Sequence, residues 1–123
     1  MHWLLNCVCE REGFSAAVLL RGIFAVEGIA QMLVNRPMPK SGGWLNGPAK
    51  LCQALGLDGR LNGAPLCQDS AGIWIEAAEP VGDAVVQTTP RIGLFSVPEP
   101  WKSIPWRFVV ADEHLPYNRD ITR

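Results

Sequence analysis

Long apolar runs are missing from this 123-residue sequence. No stretch approaches the roughly 18 uninterrupted apolar residues that crossing a bilayer requires. Met1 to Cys9 also lacks the basic start and small-residue cleavage site of a secretory signal, so no membrane association is expected and the expected location is intracellular. Neither sign of charge is in excess. Eleven Lys and Arg against 12 Asp and Glu leave a net charge of -1, so a nucleic-acid reading has to rest on local features. Neither histidine, His2 or His114, lies at ligand spacing from a partner, and no Cys-x-x-Cys occurs; a zinc site is not expected. Repeats and low-complexity segments are absent as well.

What is there reads as an ordinary globular chain. With 48% hydrophobic and 19% charged residues, the composition lies far from that of disordered segments. The length fits one domain, which buries roughly two-thirds of the surface its unfolded chain exposes. Cys7, Cys9, Cys52 and Cys67 sit in or beside apolar segments, and Cys7 and Cys9, two apart on a strand, share a face. Reduced, packed thiols are expected.

Along the chain, Trp3 to Cys9 reads as a strand, "EREG" (Glu10 to Gly13) as a turn and Ser15 to Arg21 as the returning strand of a hairpin. Ile29, Met32 and Leu33 recur at helical spacing within Val26 to Asn35, and "RPMPKSGGWLNGP" breaks that pattern. The next helix is the best punctuated. Asn46 is a candidate cap, Pro48 suits the first turn, Leu51, Cys52, Ala54 and Leu55 form an apolar stripe, and Gly56 ends it. Gly72 to Ala77, Asp83 to Leu94 and Pro105 to Val110, rich in β-branched and aromatic residues, are expected strands. The tail from Tyr117 to Arg123 is expected to fray.

Three polar residues carry local chemistry. Lys50 lies in the first turn of the punctuated helix, where its charge opposes the helix dipole. Beside Gly47 and free backbone N–H groups it could form a phosphate site, or it is a solvated lysine at a cost of a few tenths of a kcal/mol. Asn6 sits between Leu5 and Cys7: it faces solvent, or it turns inward and needs partners to offset roughly 1 to 3 kcal/mol of desolvation. Arg21 closes "AVLLR" either as a strand-end surface charge or as a functional cation.

At these residues a resemblance emerges. "MHWLLNC", "AAVLLRGIFAVEGI", "LNGPAKLCQALGL", "QDSAGIWIE", "RIGL" and "PWRFVV" resemble successive motifs of the 3-methyladenine DNA glycosylase family of the alkyladenine type, in the family's order and over nearly the whole chain. The resemblance implies an α+β fold: a single mixed domain over residues 1–123, with a curved antiparallel sheet and short helices, N-terminally truncated relative to the family. It also implies a monofunctional enzyme that flips a damaged purine nucleotide out of double-stranded DNA and hydrolyses its N-glycosidic bond in base excision repair, without metal or other cofactor. The complete protein would be a monomer, located in the cytoplasm or nucleoid of a bacterium or the nucleus of a eukaryote.

Residue by residue, Asn6 matches the family's pocket asparagine, which disfavours guanine's exocyclic amine. Arg21 matches the arginine beside the catalytic water, and Ile92 in "RIG" the position whose backbone carbonyl helps to hold that water. Met1 and His2 correspond to the DNA-facing end of the wedge hairpin, and Lys50 to the helix that approaches the DNA backbone. The family pattern is expected to begin upstream of Met1, with the catalytic glutamate, the stacking aromatics and the wedge tyrosine. Glu10, Glu12, Glu27, Glu76, Glu79, Glu99 and Glu113 all lie outside that glutamate's motif. The competing expectations are therefore a glycosylase by family, a weakly DNA-binding module and an inert fragment.

Overall fold

The computed structural model describes residues 1–111 and 114. They fall into two compact units, Met1–Ala77 and a second that begins at Ala78. The first opens with an antiparallel hairpin of β1 (Asn6–Cys9) and β2 (Ala16–Leu19), in the register Asn6 to Leu19, Cys7 to Val18, Val8 to Ala17 and Cys9 to Ala16. Its turn lies where "EREG" placed it. Glu10 and Gly13 adopt positive φ, and the Phe14 N–H donates to the Arg11 carbonyl at 3.1 Å. Both strands are shorter than expected, although a bond from the Leu20 N–H to the Leu5 carbonyl (3.0 Å) carries the ladder one step further.

Helix α1 (Ile29–Asn35) starts three residues later than the expected Val26, because Gly28 takes a left-handed conformation (φ 68°) that a right-handed helix cannot contain. Helix α2 (Pro48–Leu55) has Pro48 in its first turn, as expected, and ends at left-handed Gly56, whose N–H bonds back to the carbonyls of Cys52 and Gln53. The Leu57 N–H closes on Cys52 (2.9 Å), which completes a glycine-terminated end. Asn46 does not cap this helix. Gly47 holds the cap position with no side-chain bond, and the Asn46 amide oxygen is taken by Lys50 instead. Leu51, Cys52 and Ala54 are buried, whereas Leu55, expected on the same stripe, remains 41% exposed.

The core sits between the helices. Met32, Leu45 and Ala54 form its buried cluster, flanked by Ile23, Ala25 and Trp44. Polar ties close its rim: the Asn35 amide donates to the Ala54 carbonyl (2.9 Å), the Trp44 indole N–H to the Arg36 carbonyl (2.8 Å), and the Arg36 guanidinium to Gln53 Oε1 (3.1 Å). Gly72 to Ala77 is not a strand. The Ile75 N–H reaches the Leu66 carbonyl (2.8 Å), but no neighbouring strand offers a ladder among the described residues, and β-propensity without a partner does not make a sheet.

In the second unit a 3₁₀ turn (Asp83–Val85) leads into β3 (Val86–Thr89), paired antiparallel with β4 (Arg107–Val110). The expected strand to Leu94 stops short at Pro90, which has no N–H to give a ladder. Thr89 and Arg107 face each other in register, and the Arg107 guanidinium donates to Thr89 Oγ1 at 3.0 Å. The fold is α+β, with its antiparallel pairing in two two-stranded sheets. No helix among the described residues is long and apolar enough to cross a membrane. The expected frayed tail, Tyr117 to Arg123, lies outside the described residues.

Candidate functional site

The hairpin register decides which polar residues can act together. Residues directly opposite each other share a face, so Asn6 lies with Leu19 and Val8 with Ala17. The Leu5–Leu20 bond steps the pairing once more toward the open end, and Arg21 follows beyond the end of β2. On the face of Asn6 and Val8 both side chains are exposed, Val8 by 80%, and Leu19 is partly buried; Arg21 is half-buried. Because Asn6 is not turned inward, its amide carries no desolvation cost in this chain.

The opposite face is covered only toward its open end. Leu5, Cys7 and Leu20 are partly buried there while Val18 (57%) and Cys9 are exposed, and the Leu5 backbone bonds to the Cys52 thiol. Burial pushes the Cys52 thiol above its ordinary pKa, partly opposed by that bond. Cys7 is pushed up by burial first and by neighbouring Cys9 second. All four cysteines are free, but the expectation of packed thiols holds for buried Cys52 and partly for Cys7. Cys9 and Cys67 are exposed.

Lys50 is tied into the fold. Its ammonium donates to the Gly43 carbonyl at 3.0 Å and to Asn46 Oδ1 at 2.9 Å, which pins the loop before α2 against the helix's first turn. Gly43 makes this possible: its φ is 67°, and a Cβ there would stand 2.7 Å from the Asn46 amide. The charge that opposes the helix dipole is thus offset by two acceptors within the chain. Two of its three N–H donors are used.

The remaining candidates are Met1, His2 and Ile92. Met1 and His2 are exposed and precede β1. Ile92 belongs to the second unit, 59% exposed, between Arg91 and left-handed Gly93. Among the described residues, no three His, Cys, Asp or Glu side chains gather as a metal-binding group would.

Sequence reasoning missed one cluster beside Ile92. The Arg91 guanidinium lies over the Trp106 ring, with its carbon 5.3 Å from the ring centroid, and donates through Nη2 to the Trp101 carbonyl at 3.2 Å. The two indoles are tilted at 41° with centroids 5.9 Å apart. The interleaving of basic and aromatic residues in "PRIG" and "PWKSIPWR" was the available signal.

Comparison with known proteins bears on the same residues. Residues 1–114 match the family model described as methylpurine-DNA glycosylase (MPG). A Chlorobaculum parvum protein named "Putative 3-methyladenine DNA glycosylase" is 38% identical over 119 residues, covering 96% of this chain and 54% of its own length. Proteins of the same name from Herpetosiphon aurantiacus (38% identical, 91% of this chain, 51% of the relative) and Deinococcus radiodurans (37%, 89% and 55%) are similar to a like degree. The chain spans about half the length of these curated relatives. With a family match over almost all of its residues, the chain belongs to the methylpurine-DNA glycosylase family.

Proposed function

We propose that this chain contributes one side of an alkylpurine DNA glycosylase site, which hydrolyses the N-glycosidic bond of an alkylated or deaminated purine flipped out of duplex DNA. The observation that supports the reading is the hairpin register, which leaves Asn6 and Val8 exposed on one face, with Arg21 following just beyond β2. In this reading Asn6 lies along the edge of the flipped purine and selects against an exocyclic amine. Arg21 orients the attacking water. Met1 and His2 face the DNA. The protein acts without metal or other cofactor, as a monomer when complete, wherever in the cell the DNA lies.

The proton balance sets what this chain does alone. Attack on the sugar carbon releases a proton from water while positive charge develops on the sugar, so a carboxylate has to accept it. Arg21 cannot: a guanidinium stays protonated and has no acceptor. Removal of a general base commonly costs about 10² to 10⁴ in rate. The chain by itself is therefore expected to release no measurable hypoxanthine or 3-methyladenine from duplex DNA. The same chain joined behind a family N-terminal segment bearing the glutamate is expected to release both. Gel-resolved strand cleavage after excision measures this, and robust excision by the unjoined chain, purified to homogeneity, would show that the catalytic carboxylate lies within residues 1–123.

A further inference from the structure

We propose that Arg91, Trp101 and Trp106 form a contact for an unpaired DNA nucleotide, with its phosphate on the guanidinium and its base against an indole face. The inference rests on the DNA-directed reading above and adds to it a surface in the second unit, distinct from the hairpin residues.

The guanidinium is positioned but far from satisfied. It is held over Trp106 at 5.3 Å and by one bond to the Trp101 carbonyl, while its Nε–H is buried with no acceptor. A guanidinium carries five N–H donors in a planar fork that matches a phosphate. The ion pair found among the described residues joins Arg60 to Asp58 in the first unit, so no carboxylate among the described residues pairs with Arg91. Its surroundings favour an anion further. Although the whole chain is net negative, residues 89–107 hold Arg91, Lys102 and Arg107 against the single carboxylate of Glu99. That carboxylate already accepts the Ser103 N–H at 3.2 Å.

The aromatic half of the contact argues for a base beside the phosphate. Trp101 is 51% exposed and Trp106 50%, so two large apolar rings adjoin at the surface next to a fixed cation. Exposed indoles flanked by cations are the elements of a stacking platform for single-stranded nucleic acid. Bases within a duplex have their faces covered by their neighbours, which leaves an unpaired nucleotide as the occupant that uses both halves.

The test uses the full chain and a fluorescently labelled ten-residue oligothymidylate, followed by anisotropy at low micromolar protein. Binding is expected in the micromolar range and should weaken as salt is raised. An abasic oligonucleotide of equal charge is expected to bind roughly ten-fold more weakly, a comparison that needs no variant and so does not depend on any variant's folding. Trp101→Leu should lower affinity for the oligothymidylate by a similar factor, and Arg91→Lys, which keeps the charge but loses the fork, by several-fold. Equal binding of abasic and base-bearing strands, parent-like binding by both variants, or equal competition by polyglutamate would overturn the proposal. None of these readouts needs a lesion. Failure of the excision experiment with retained base-dependent binding would sink the glycosylase reading alone, whereas normal excision without base-dependent binding would sink this one alone.

Discussion

Replacing Lys50 with methionine separates two roles that one side chain could fill. The substitution keeps the aliphatic stem and removes the ammonium, and with it the bonds of 3.0 Å to the Gly43 carbonyl and 2.9 Å to Asn46 Oδ1. A hydrogen bond to a charged group contributes about 1.5 to 3 kcal/mol when well buried. Lys50 is only half-buried and Asn46 is exposed, so solvent screening reduces each bond to about 1 kcal/mol. Against this, loss of a cation from the first turn of α2 relieves about 0.5 kcal/mol of dipole repulsion. The expected net loss is about 1.5 kcal/mol, a fall in melting temperature of about 6 to 12 °C for a unit of this size. Both α-helices lie in the first unit, so helical circular dichroism at low micromolar protein reports its unfolding directly. Asn46→Ala should cost less, and the double variant should show a coupling of about 1 kcal/mol, because the two residues share one bond. If Lys50→Met instead melts within a degree of the parent while the salt dependence of DNA binding drops by one phosphate contact, the lysine is a DNA ligand and the loop-pinning argument is wrong.

In the joined glycosylase, Arg21→Ala should lower single-turnover excision more than it lowers binding to a lesion duplex; equal losses in both would place Arg21 in binding alone. Iodoacetamide at pH 8, followed by mass spectrometry, should modify exposed Cys9 and Cys67 well before Cys52 and Cys7, whose thiols are buried to differing degrees and held above their ordinary pKa; early modification of Cys52 would contradict its packing under Leu5. Met1, Trp3, Leu4, Val8, Phe14 and Val18 leave the hairpin region with much exposed apolar surface, so the chain should self-associate as its concentration rises, and Val8→Lys should reduce this in sedimentation velocity. A parent that stays monomeric at high concentration would refute that reading.

Much of the local structure follows from residues a few positions apart. Pro48 and Gly56 bracket α2 because one has no N–H to lose in a first turn and the other tolerates a left-handed φ. The hairpin turn at Glu10 to Gly13 is equally local, and once it is in place strand alternation sets Asn6 and Val8 on one face. The family's motifs were legible for the same reason, since each is a short contiguous block.

Elsewhere local pattern was overruled by partners distant in sequence. Gly72 to Ala77 has the composition of a strand and no strand to pair with among the described residues. Asn46 has the chemistry of a helix cap, yet its oxygen serves an ammonium four residues on, because Gly43 lets the loop fold back over Lys50. The Arg91 platform needs Trp101 and Trp106, ten and fifteen residues away, brought back by the chain that joins β3 to β4. Sequence by itself therefore determined where α2 starts, where both helices stop, where the hairpin turns and which family's motifs are present, because those depend on backbone φ preferences, missing N–H groups and contiguous side chains. Tertiary structure alone decided which polar atoms are satisfied and which faces stay open, because a hydrogen bond or a buried ring needs a second group whose position no local rule supplies.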